Sequence, residues 1–91
     1  MEKSKIIVTG ATGSIGLAAV KSLLSKDLPV IMACRNIRKA DSQRDSLIKE
    51  FPHSEIDVLE LDLNSLASIR AFVEEIKNQG FKVDKLLNNA G

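Results

Sequence analysis

The chain of 91 residues contains no tyrosine and no tryptophan, one cysteine, one histidine and two prolines. Each scarcity narrows the chemistry. A single cysteine, Cys34, permits no internal disulfide and excludes a cysteine metal cluster; set in an apolar run, it reads as a small buried side chain rather than a reactive thiol. No metal site is expected. His53, the one histidine, follows Pro52 in a loop and reads as a surface residue. Charge of neither sign dominates, since thirteen Lys and Arg face twelve Asp and Glu for a formal net charge of +1. That balance points to neither a nucleic acid nor a membrane as partner. The amino terminus leads into only about five apolar or neutral residues, too short for a signal-peptide core or a membrane span, so a cytoplasmic location is expected. With 44% apolar and 27% charged residues, the composition fits one small globular domain.

The stretch around which the chain is organised is Lys5 to Gly16, KIIVTGATGSIG. Ile6, Ile7 and Val8 are consecutive and β-branched, which suits a parallel strand buried on both faces. The following helix carries Ile15, Ala19, Val20, Leu23 and Leu24 as one apolar stripe. Between strand and helix, Gly10 allows the tight reversal, Gly13 lets a bulky anion approach the backbone, and Gly16 lets the helix pack closely on the strand. Thr12 and Ser14 supply hydroxyls. The free amides at the helix start, at Ser14, Ile15 and Gly16, make this an anion site, most often one for a pyrophosphate.

Downstream, Val30 to Cys34 reads as a second buried strand, and Asn36 as a cap for a helix over 37–51 whose stripe, Ala40, Leu47, Ile48 and Phe51, is interrupted at Arg44. Ile56 to Leu61 reads as a third, less buried strand at a sheet edge. A third helix is expected over 66–79, with Leu66, Ile69, Phe72, Val73 and Ile76 on one face and Gly80 ending it. Val83 to Asn88 is the fourth strand. Strict alternation of strands and helices predicts an α/β, Rossmann-type doubly wound parallel sheet with four strands in the order 3-2-1-4 and three helices. The fold is incomplete as it stands, because an edge at strand 4 and a lone third helix leave surfaces uncovered.

In such folds a carboxylate at the end of the second strand holds a free ribose 2′-hydroxyl. Here Cys34 and Arg35 occupy those positions. Arg35 suits a 2′-phosphate, so NADP(H) is favoured over NAD(H). Asp62, at the end of the third strand, is placed either to accept from an adenine amino group or to cap the third helix.

TGATGSIG, ACRN, LDLNSLASIRAFVEEI and DKLLNNAG together resemble the short-chain dehydrogenase/reductase family, in its classical branch of retinol-dehydrogenase-like and protochlorophyllide-reductase-like members. The resemblance covers essentially the whole chain; the spacing TGxxGxxG departs from it and is closer to the extended branch of sugar-nucleotide epimerases. It implies that Asp62 and the backbone of Leu63 contact adenine, that Asn36 joins Arg35 in the cofactor set, and that Asn89, Ala90 and Gly91 of NNAG run along the adenine ribose. It also implies an oxidoreductase that transfers hydride between NADP(H) and a carbonyl or alcohol of a small-molecule substrate. The family's acid/base tyrosine, its lysine partner and its serine match nothing in these 91 residues. Residues 1–91 are therefore expected to be the amino-terminal dinucleotide-binding half of a Rossmann domain, inactive alone and associating through the exposed sheet edge or as a homo-oligomer. A non-catalytic dinucleotide-binding or redox-sensing module, an interaction fragment and an extended-branch epimerase are the alternatives.

Overall fold

The computed structural model describes residues 4–88. The two most continuous apolar runs form the centre of a sheet: β1 (Lys5–Thr9) and β2 (Val30–Cys34) pair in parallel, and every residue of β2 is buried. β3 (Ile56–Glu60) flanks β2, and β4 (Val83–Asn88) flanks β1, both in parallel. The order β3-β2-β1-β4 is the one expected.

Side chains alternate between the two faces of each strand, and the helices sort accordingly. On one face Ile6, Val8, Val30 and Met32 pack with Val20 and Leu24 of α1 (Ser14–Ser25) and with Ala40 and Leu47 of α2 (Ile37–Glu50). On the other, Ile7, Ile31, Ala33 and Leu61 pack with Phe72 of α3 (Leu66–Asn78), which Ile69 and Ile76 join from the same helix. Helices on both faces make the sheet doubly wound. Gly80 adopts φ 67° just past α3, as a residue ending a helix in the left-handed region should.

Several local expectations are corrected. Ile15 is 75% exposed and does not share the buried stripe of α1, because the first turn of that helix projects past the end of the sheet and has no strand beneath it. In α3, Leu66 and Val73 are also exposed. They lie about 70–90° round the helix from the line of Ile69, Phe72 and Ile76, on one flank that the sheet does not reach. Arg44 does not merely interrupt α2: it is half-buried, and its Nε donates to the Ile56 carbonyl of edge strand β3 at 2.7 Å. A long side chain with a charged tip can thus lie along a buried face and still find its acceptor.

At the amino end of the sheet, Lys5 spans from β1 across β2. Its Nζ lies 2.8 Å from Asp57 Oδ2 and 3.5 Å from Glu55 Oε2, and 4.7 Å from the centre of the Phe81 ring. Burial alone lowers its pKa, yet the hydrogen bond and attraction of Asp57, then those of Glu55, outweigh it and hold the ammonium above its ordinary value. The side of β4 facing away from β1 pairs with no strand among the described residues. Leu86, in register with Ile7 and hence on the α3 face, is 59% exposed.

Candidate functional site

All four strands run the same way, so their carboxyl ends gather on one side of the molecule. A cleft of about 640 Å³ opens there, against 150–270 Å³ for three other clefts on the described surface. Thr9, Gly10, Thr12 and Gly13 form one wall, Ala33, Cys34, Arg35, Asn36 and Lys39 a second, and Leu61, Leu63 and Asn64 a third. None of these lining residues is acidic.

The turn that forms the first wall is built around one carbonyl. Gly10 adopts φ 60°, a left-handed conformation that favours glycine, and its oxygen accepts from the Gly13 N–H at 3.1 Å. The same oxygen lies against α1. A Cβ on Gly16 would come within 2.0 Å of it and within 2.9 Å of the Ala11 Cα. Gly13 differs. Its φ of −78° is open to any residue, and a Cβ there would meet nothing closer than the Gly10 oxygen at 3.5 Å. Neither backbone angle nor packing explains a glycine at this exposed position facing the cleft.

The first intrahelical bond of α1 runs from the Leu17 N–H to the Gly13 carbonyl at 2.8 Å. The amides of Ser14, Ile15 and Gly16 precede it. Gly13, the N-cap, has no side chain with which to cap them, and the first turn of α1 carries no acidic residue. The positive end of the helix dipole therefore receives no anion from its own cap or first turn. Ser14 and Ile15 are exposed and Gly16 is buried.

Across the cleft, Arg35 leaves β2 exposed to solvent. Asn36 caps α2 through its side-chain oxygen, which accepts from the Lys39 N–H at 3.1 Å, so that atom is engaged. The buried Cys34 thiol donates to the Asn36 carbonyl over 3.7 Å. Burial, and after it the negative charges of Asp41 and Glu60, push its pKa up, which favours the protonated thiol.

Asp62 does not cap α3. That place belongs to Ser65, whose side chain accepts from the Ser68 N–H. Asp62 Oδ1 accepts instead from the Asn64 N–H at 3.0 Å, and its own N–H donates to Ser68 Oγ at 2.9 Å. The aspartate shapes the β3–α3 turn and holds Leu63 and Asn64 at the cleft without lining the cleft itself. Asn89, Ala90 and Gly91 lie outside the described residues.

The structure thus brings Gly10, Thr12, Gly13, Arg35, Asn36 and Leu63 to one cleft, with the Ser14, Ile15 and Gly16 amides at the start of the adjoining helix. Residues 4–91 match the family model described as short chain dehydrogenase. The chain belongs to the short-chain dehydrogenase family. It is 38% identical over 88 residues to rat 3-keto-steroid reductase/17-beta-hydroxysteroid dehydrogenase 7, covering 94% of this chain and 26% of that one. It is 38% identical over 90 residues to the chloroplastic protochlorophyllide reductase of Chlamydomonas reinhardtii, covering 98% and 22%. The chain spans about a quarter of the length of these curated relatives. Among solved structures it superposes with a TM-score of 0.86, at 28% identity, on a short chain oxidoreductase from Pseudomonas aeruginosa PAO1 solved with NADPH bound, over 97% of this chain and 34% of that one. No helix among the described residues is long and apolar enough to cross a membrane.

Six lining residues, Thr9, Ala33, Cys34, Lys39, Leu61 and Asn64, were not among the expected site residues, and of these Lys39 alone carries a formal charge at neutral pH. It lies one helical turn beyond Arg35, in the first turn of α2, and adds a second cation to the same wall. Its place in the first turn of the helix that begins just after Arg35 was the available signal.

Proposed function

We propose that this chain binds NADP(H) and is the amino-terminal dinucleotide-binding half of an oxidoreductase that transfers hydride between NADP(H) and a carbonyl or alcohol substrate. The observation that carries this reading is a cleft whose glycine-rich wall faces Arg35 and Lys39 with no acidic residue between them. A carboxylate would be needed there to hold a free ribose 2′-hydroxyl, whereas a guanidinium and an ammonium suit a 2′-phosphate. The NADPH bound by the Pseudomonas relative supports the same preference.

The residues fit the group. The Ser14, Ile15 and Gly16 amides would hold the pyrophosphate, with Gly13 leaving room for its approach. Arg35 and Lys39 would hold the 2′-phosphate, while Leu63 would cover the adenine along with the backbone that Asp62 shapes. Asn89, Ala90 and Gly91 would run beside the adenine ribose. A bound nicotinamide supplies the hydride or accepts it. This chain would contribute orientation of the dinucleotide; the acid/base tyrosine that the family resemblance implies is not among its 91 residues. The named relatives are reductases and dehydrogenases, which supports the classical branch over an epimerase.

Titration of the purified protein with NADPH and NADH tests the proposal. NADPH is expected to bind more tightly. Arg35→Ala should weaken NADPH by roughly ten- to a hundredfold, the scale of a charged hydrogen-bonded contact, and leave NADH nearly unchanged. Equal losses for both would overturn the 2′-phosphate assignment, and no binding of either would leave an interaction fragment as the better account.

A further inference from the structure

We propose that Gln43, in the second turn of α2, is a positioning residue for the glycine turn: it fixes the orientation of the Thr12–Gly13 peptide and so preorganises the amides offered to a pyrophosphate. The proposal rests on the dinucleotide reading above. Gln43 Nε2 donates to the Thr12 carbonyl at 3.2 Å across 31 residues of sequence. The side-chain amide cannot be reversed, because that would set its oxygen against the Thr12 oxygen. In the orientation it must take, Oε1 is buried with no hydrogen-bond partner among the described residues. The glutamine therefore leaves its own acceptor unmatched in order to hold the turn.

A trans peptide points its carbonyl and its N–H in opposite directions. With the Thr12 carbonyl drawn towards α2, the Gly13 N–H faces the other way, and it donates to the Gly10 oxygen. That oxygen is the one packed against Gly16. One side chain on α2 thus sets a peptide, the peptide fastens the Gly10 carbonyl, and the carbonyl seats the start of α1. Gly10 and Gly13 have no Cβ to restrict them, so the turn needs an anchor from outside to be held ready. An anion that must first order its own site binds more weakly.

Gln43→Met keeps the length and bulk of the side chain and removes the donor. In the ligand-free protein, amide exchange at Gly13 is expected to quicken by about tenfold as its bond to Gly10 opens more often. NADPH and NADH, which share the same pyrophosphate, should both weaken by about five- to tenfold, while the thermal midpoint moves by no more than about 2 °C. Unchanged Gly13 exchange, a loss confined to NADPH, or a loss matched by a fall in thermal midpoint would each overturn the positioning role. Gln43→Glu, which keeps the shape and exchanges the donor for an acceptor, repeats the test if the methionine variant does not fold. If the unsubstituted protein binds neither dinucleotide, the function proposed above falls whatever Gly13 does; if it binds both and neither exchange nor affinity responds to Gln43→Met, the assignment of Gln43 falls alone.

Discussion

Two glycines three residues apart separate folding from binding: Gly16→Ala should damage the fold, and Gly13→Ala should damage only the site. Gly16 lies inside α1, where helix propensity alone favours alanine over glycine by about 1 kcal/mol. Sterics reverse the sign. The added Cβ would lie 2.0 Å from the Gly10 oxygen and 2.7 Å from the Gly10 carbonyl carbon. Contacts under 3.0 Å are not sustained, so a backbone carbonyl must retreat by about 1 Å, and its bond from the Gly13 N–H goes with it. Overpacking of this kind against backbone costs about 3 kcal/mol or more. Gly13 has φ −78° and free space for a Cβ. Alanine is a poorer N-cap than glycine by some tenths of a kcal/mol, but it also restricts the unfolded chain by about 0.4–1 kcal/mol. The two offset, and stability should change by less than about 0.5 kcal/mol. Urea unfolding followed by circular dichroism reads both: with a slope of about 1–1.5 kcal/mol per molar, the steric cost less the propensity gain should lower the Gly16→Ala midpoint by about 1.3 M or more. Gly13→Ala should leave the midpoint in place and weaken NADPH and NADH alike by about tenfold or more, as its methyl group enters the anion's path. A Gly16→Ala protein as stable as its parent would refute the close approach of α1 to the turn. Equal destabilisation by both substitutions would refute the idea that Gly13 is kept small for a ligand.

Stability should decline at high pH through two groups. The Cys34 thiol is held up in the fold, so the protonated form stabilises below its ordinary 9.0 and that contribution fades as pH rises beyond it; Cys34→Ala should remove this part of the decline. Lys5 is likewise raised, from 10.5, so its contribution is complete below pH 10.5 and is lost as pH climbs through the folded value; Lys5→Met should remove that part in a pH series of urea midpoints. Arg44→Met should cost about 1–2 kcal/mol by leaving the Ile56 carbonyl without its donor, with no change in dinucleotide affinity, and a loss of affinity would show that α2 moves as well. Expressed as these 91 residues, the chain should sediment heavier than its 9.9 kDa through the uncovered β4 edge and Leu86, and Leu86→Lys should return it towards a monomer.

What could be read from the sequence is what neighbouring residues decide among themselves. β-branched runs at Ile6–Val8 and Val30–Ile31, and the three- and four-residue spacing of Ile69, Phe72 and Ile76, carry their structure locally. Right-handed crossovers then leave little choice but the order β3-β2-β1-β4. The sequence says least wherever a residue's role depends on something distant. Ile15 fits the apolar period of α1, but periodicity does not say where the sheet beneath the helix stops. Asp62 and Ser65 are both good caps three residues apart, and the backbone path, extended at Ser65, chooses between them. Arg44 breaks a stripe on paper and meets a carbonyl twelve residues away in the fold.

The same distinction runs through the candidate site. Gly10, Gly13 and Gly16 stand out in the sequence because each answers a local need for backbone freedom, close approach or helix packing. Gln43 announces nothing, since no rule of spacing connects it to Thr12 across 31 residues. Yet a turn made of residues chosen for freedom is also a turn that must be restrained. The restraint comes from α2, the helix whose first turn also supplies Lys39 to the cleft. Pyrophosphate and 2′-phosphate recognition would then share one rigid element, and a disturbance of α2 should be felt at both ends of the dinucleotide.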